Sequence, residues 1–194
     1  CCANSEKALW WGGWTGQYEN VIDIVTIAST GNATDFGDMT VGTEHPGCAA
    51  DESRGIAAGG GVASGVKGID YVTISSSGNA SDFGDLTETK QSTNATADAT
   101  IAMILGGYNT ANIDKITIQT TGNATDWGGD LSANRASMGV CSNGTRAVTG
   151  GGDPAAGQAG VNIMDYFTIT SASNATDFGD LSNGKRLLGS ASGD

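Results

Sequence analysis

Eight aspartates recur in pairs along this chain, Asp35/Asp38, Asp82/Asp85, Asp126/Asp130 and Asp177/Asp180, and three residues before each pair stands Asn32, Asn79, Asn123 or Asn174. Carboxylate and amide oxygens at such spacing are the ligands a hard cation such as calcium takes. No copy carries the full calcium-loop pattern, and Asp or Asn beside glycine also closes turns through side-chain-to-backbone hydrogen bonds. Turn closure is the expected use. The eight aspartates stay as calcium candidates, with no metal and no cofactor expected. The same four asparagines, with Asn94 and Asn143, begin Asn-x-Ser/Thr sequons, so all six are candidate N-glycosylation acceptors.

The remaining reactive groups are few. Cys2, Cys48 and Cys141 fall at one register in three different repeats, and Cys1 adjoins Cys2. Small apolar packing is the default for such residues, a disulfide among the four is the alternative with its pairing open, and a Cys-x-x-Cys metal spacing is absent. The single histidine, His45, sits in an irregular Glu-His-Pro-Gly segment with no nucleophile motif beside it. Catalysis concentrates unlike groups at one point, whereas repetition multiplies like ones, so a non-enzymatic protein is expected. Trp10, Trp11 and Trp14 break the repeat pattern and are the candidates for an exposed contact or subunit interface.

These residues belong to a recurring phrase: Asn32-Ala-Thr-Asp-Phe-Gly-Asp38, Asn79-Ala-Ser-Asp-Phe-Gly-Asp85, Asn123-Ala-Thr-Asp-Trp-Gly-Gly-Asp130 and Asn174-Ala-Thr-Asp-Phe-Gly-Asp180. Their starts lie 47, 44 and 51 residues apart, a period that signals a solenoid, propeller or array. Before each phrase runs a hydrophobic strand, as at Gly68-Ile-Asp-Tyr-Val-Thr-Ile74, with bulk on both of its alternating faces. Before that comes a small-residue strand ending in glycines, as at Arg54-Gly-Ile-Ala-Ala-Gly-Gly-Gly61. A further small-residue strand precedes it, clearest at Ala136-Ser-Met-Gly-Val-Cys-Ser142. With 31 glycines and two prolines, the chain reads as all-β, each repeat supplying four antiparallel strands.

This order of strands resembles the kelch repeat, in which a glycine doublet closes the second strand, a Tyr lies in the third, and a Trp in the fourth precedes an Arg. Gly150-Gly151, Tyr166 and Phe178 stand at the first three places in the last repeat, and Trp127 with Arg135 at the end of the third. Phe replaces Trp in three repeats, and Ile24 and Lys115 replace Tyr. The resemblance implies a β-propeller. The wording Ile-Asp-Tyr-Val-Thr-Ile followed by Gly-Asn-Ala-Thr-Asp-Phe-Gly-Asp-Leu-Thr is also similar to repeats of virion structural proteins of aquatic, especially cyanobacterial, bacteriophages.

Four blades are expected within one domain, 1–194. The first covers about 1–40 plus 187–192, the second about 41–87, the third about 88–132 and the fourth about 133–182. Leu187-Leu-Gly-Ser-Ala-Ser192 aligns with Ala136-Ser-Met-Gly-Val-Cys141 and is expected to complete the first blade and close the ring, removing open sheet edges. Hemopexin-type domains are a precedent for four blades at this size. A larger ring, or two chains combining, is the competing arrangement.

A formal charge of −12 repels nucleic-acid phosphates and anionic headgroups. No window reaches the roughly 18 apolar residues of a membrane helix. The similarity to phage virion repeats, together with the lack of a catalytic constellation, implies a structural or recognition module of an extracellular particle, foremost a phage virion appendage, fibre or decoration, whose partners are other structural proteins or copies of itself. A secreted glycan-binding or adhesion protein, N-glycosylated and fibril-forming, is the alternative.

Overall fold

The computed structural model describes residues 1–61 and 64–189. Their sixteen strands form four sheets, each of four antiparallel strands taken in chain order. The first sheet holds β1 (Cys2–Ala3), β2 (Lys7–Trp14), β3 (Tyr18–Thr26) and β4 (Thr34–Asp38). The second holds β5 (Gly47–Ala50), β6 (Arg54–Ala58), β7 (Val66–Thr73) and β8 (Ser81–Lys90). The third holds β9 (Asn94–Ala97), β10 (Ile101–Gly107), β11 (Thr110–Thr117) and β12 (Thr125–Asp130). The fourth holds β13 (Gly139–Ser142), β14 (Arg146–Gly150), β15 (Val161–Thr168) and β16 (Thr176–Lys185). All-β architecture and four strands per repeat follow from the sequence as expected.

The turn joining the first two strands of each sheet has one chemistry throughout. Asn4, Asp51, Asp98 and Asn143 each turn Oδ1 onto two backbone N–H groups two and three residues ahead, at 2.6–3.1 Å. A side-chain acceptor there satisfies two donors that the tight reversal would leave open.

The repeated phrase forms a β-bulge. Ile69 lies opposite Gly84 and Asp70 opposite Asp82, so Phe83 is the extra residue; Phe36 and Phe178 stand likewise opposite the steps Ile22/Asp23 and Met164/Asp165. The glycine after the aromatic carries φ of +148° at Gly37 and +142° at Gly84, values that glycine alone adopts without strain. The preceding aspartate locks the bulge, since Asp82, Asp126 and Asp177 each accept an Oδ1 hydrogen bond from the backbone N–H two residues on, at 3.0, 2.7 and 2.9 Å.

The sheets stack in sequence. First strands neighbour one another from β1 to β5, β5 to β9 and β9 to β13, and three hydrophobic clusters fill the spaces between consecutive sheets. Phe36, Phe83 and Trp127 lie in these clusters at 3–4% exposure. Among the described residues no such cluster joins the fourth sheet to the first, and Phe178 is 50% exposed.

The first sheet takes the strand Cys2–Ala3 from the N-terminal side, with Cys2 opposite Leu9 and Ala3 opposite Ala8. Of the expected closing strand, 187–192, residues 190–192 lie outside the described residues. Residues 187–189 form no strand; the Leu188 N–H donates to the Ser137 carbonyl at 3.3 Å, at the fourth sheet and not the first.

Candidate functional site

The chemistry-bearing residues of the repeat converge on the seams between consecutive sheets. Each phrase clasps the next. Asn79, Asn123 and Asn174 turn Oδ1 onto the backbone N–H of Asp38, Asp85 and Asp130 in the preceding repeat, at 3.1, 3.0 and 3.2 Å. The N–H of the following alanine, Ala80, Ala124 or Ala175, donates to the carbonyl of that same aspartate at 2.8 Å in every case. A Cβ on Gly37, Gly84 or Gly129 would run into the backbone of the next phrase, so the glycine is also needed for close approach.

Four residues beyond the aromatic (five in the third repeat, which carries an extra glycine) stands a hydroxyl that grips an aspartate of the next sheet. Thr40 donates through its N–H to Asp70 Oδ2 at 2.8 Å and through Oγ1 to Oδ1 at 2.7 Å. Thr87 binds Asp114 in the same way, and Ser132 binds Asp165. Three residues further on, a base completes two of these sites. Lys90 Nζ lies 3.4 Å from Asp114, and Arg135 Nη2 pairs with Asp165, all four side chains being fully buried. Burial pushes both cations toward deprotonation, and the facing carboxylates pull them back. The first seam has Thr43 in this place. Among the described residues Asp70 pairs with no base, and burial, with a smaller contribution from Asp82, raises its carboxyl above the ordinary carboxylate range despite the Thr40 bonds.

At the two ends the same parts meet no further sheet among the described residues. On the fourth sheet Phe178, 50% exposed, packs edge-on against Tyr166, at 6.0 Å between centroids, while Asp180, Ser182 and Lys185 are exposed. On the first sheet Asn32 and Ala33 are exposed, Asp23 is half-buried, and Trp10 and Ile27 are 46% and 55% exposed. The residues at the register of Trp10 and Ile27 in later sheets, Ala57, Ile104 and Thr149, and Ile74, Ile118 and Ile169, are all buried.

The three tryptophans separate. Trp11 is buried in the first seam, with its Nε1–H directed at Cys2 Sγ, 3.4 Å away. Trp10 lies on the outer face of the first sheet. Trp14, 56% exposed, meets Tyr18 edge-on at 4.9 Å. All four cysteines are free thiols. Cys2 and Cys48 pack against the first seam's cluster, where burial pushes the Cys2 thiol up to about 12 and raises that of Cys48 as well.

Of the six sequon asparagines, Asn32, Asn79, Asn123, Asn143 and Asn174 are exposed. Asn94 is half-buried inside β9, and its Oδ1 accepts the Met138 N–H at 3.1 Å. Of the aspartates weighed for calcium, the first in the later three phrases is committed to the bulge and the second lends its main chain to the seam in the first three. Among the described residues no three His, Cys, Asp or Glu side chains are gathered to hold a metal ion. Two shallow depressions, of about 340 and 170 Å³, lie at equivalent places beside Tyr71 and Asn79 and beside Ile24 and Asn32.

The seam hydroxyls and the buried Lys90 are the residues that sequence reasoning missed. Their signal was a fixed offset from the phrase, a hydroxyl and then a base downstream of the aromatic, readable only once the phrase is taken as the edge of a seam.

No protein-family model matches the chain, and no curated protein matches it. Among the described residues no helix is long and apolar enough to cross a membrane. Fold and seams together define the class: an all-β array of four-stranded antiparallel sheets, stacked through a repeated polar clasp.

Proposed function

We propose that this chain is a non-enzymatic structural module in which the four sheets are blades of a kelch-like propeller array, serving an extracellular particle, foremost as a phage virion appendage, fibre or decoration. One observation carries the structural role: the recurring Asn, Asp, Ser/Thr and Lys/Arg side chains are spent on unit-to-unit seams, so the most repeated chemistry in the chain builds the scaffold. The particle assignment draws on the similarity of the repeat wording to phage virion proteins. Mass spectrometry of purified particles from the source tests it. Peptides of this chain at structural stoichiometry are expected, and their absence from every particle fraction would sink the assignment.

A second reading, adhesion to glycans, is favoured by the exposed Trp14 and Tyr18 pair, since exposed aromatic faces stack on sugars. Glycan-array binding lost on Trp14→Ala would support it, and an array without hits would remove it.

A further inference from the structure

We infer that the outer face of the fourth sheet is a docking surface for the first sheet of a second copy of this chain, joined head to tail through a seam like the three internal ones. The two faces offer the complementary halves of one interface. In each internal seam the giving sheet supplies an aromatic, the main chain of an aspartate, a hydroxyl and, in the second and third seams, a base. The receiving sheet supplies an asparagine Oδ1, an alanine N–H, an aspartate carboxylate and apolar side chains. The fourth sheet presents Phe178, Asp180, Ser182 and Lys185 at the giving positions, and the first sheet presents Asn32, Ala33, Asp23, Trp10 and Ile27 at the receiving ones.

Two details strengthen the match. A Cβ on Gly179, unlike one on Gly37, Gly84 or Gly129, meets nothing within 4 Å, so the space that the next phrase fills elsewhere is open here. Arg54 crosses the second seam to donate to the Ile118 carbonyl at 2.8 Å while lying over Tyr71. Arg146 lies over Tyr166 in the same pose and is exposed, placed to reach the carbonyl of Ile27. The same surface patch does not meet itself, so the contact is heterologous and propagates as a ring or a filament. It stands on these two faces alone, and a failure to find the chain in a particle leaves it intact.

Reciprocal charge reversal tests the pairing of Lys185 with Asp23. Lys185 is exposed and Asp23 half-buried on the outer face of its sheet, and each variant, Lys185→Glu and Asp23→Lys, is expected to keep the thermal midpoint of the wild type. In analytical ultracentrifugation at about 0.15 M salt, where local pairs outweigh distant charges, the wild type is expected to associate as its concentration rises. Each variant alone is expected to associate at least about tenfold more weakly, and an equimolar mixture of the two to recover wild-type association. A zero-length carbodiimide cross-link between Lys185 and Asp23 is expected only in dimer-sized and larger species. A wild type that stays monomeric up to about 1 mM overturns the inference, as does a mixture no better than its parts. A Lys185 to Asp23 cross-link within the monomer also overturns it, in favour of closure of the chain on itself.

Discussion

The Asn123 side chain accepts a hydrogen bond of 3.0 Å from the backbone N–H of Asp85, a residue of the preceding repeat and a neighbouring sheet. An asparagine that opens a turn in its own repeat thus satisfies a strand-edge donor in another. Its removal is local: Asn123→Ala leaves that N–H without its partner, and a loss of about 0.5–1.5 kcal/mol is expected in urea unfolding. Asn32→Ala, at the same register but with no clasp to another sheet among the described residues, is expected to fall within about 0.5 kcal/mol of wild type in dilute solution. Equal losses would show that the clasp is not what the asparagine contributes.

Lys90 and Asp114 form a fully buried ion pair at 3.4 Å, with Nζ also donating to the Asn112 carbonyl at 2.9 Å. Removing one partner strands the other charge in a low-dielectric seam, so Lys90→Met is expected to cost about 3–5 kcal/mol in chemical denaturation. The double variant Lys90→Met with Asp114→Asn removes both charges and is expected to recover a substantial part of that loss. A double variant as unstable as the single one would place the cost in packing rather than charge.

The repeat and the four strands of each repeat were legible in the sequence, because period-two alternation and glycine punctuation act within a few residues. Seam partners were not, since Thr87 and Asp114 lie 27 residues apart and neither shows by its type that the other faces it. The aspartates illustrate the difference. Asp82 was readable as a turn acceptor because Gly84 stands two residues on, whereas Asp85 contributes its main chain, for which the side chain gives no signal. Closure by 187–192 followed from alignment of small residues; residues 187–189 form no strand, and 190–192 lie outside the described residues.

Asp70 supplies a pH signature. Its folded-state carboxyl sits above the ordinary value, with burial the largest cause, so between the unfolded and folded values the folded state binds more protons. Stability from this group is greatest below about pH 3.9 and is lost as pH rises through the folded value. Asp70→Asn deletes that titration. The stability of Asp70→Asn relative to wild type is expected to improve as pH rises from about 3 to 7, measured by urea unfolding across the range. A flat difference would mean that Asp70 titrates normally.

Phe83 and Phe178 occupy one register, one 3% exposed in the second seam and the other 50% exposed on the outer face of the fourth sheet. Both rings pack edge-on against a tyrosine of their own sheet, Phe83 on Tyr71 at 5.9 Å and Phe178 on Tyr166 at 6.0 Å, so only the neighbouring sheet distinguishes them. Phe83→Ala deletes a ring enclosed by that neighbour, and a loss of about 3–5 kcal/mol is expected. Phe178→Ala in dilute solution is expected to cost less than about 1 kcal/mol, because half of the ring already meets water. The contrast reads the stacking directly. If Phe178→Ala proves as costly as Phe83→Ala in a monomer, the fourth face is covered by the chain itself; if the costs diverge as expected, that face is uncovered in the monomer.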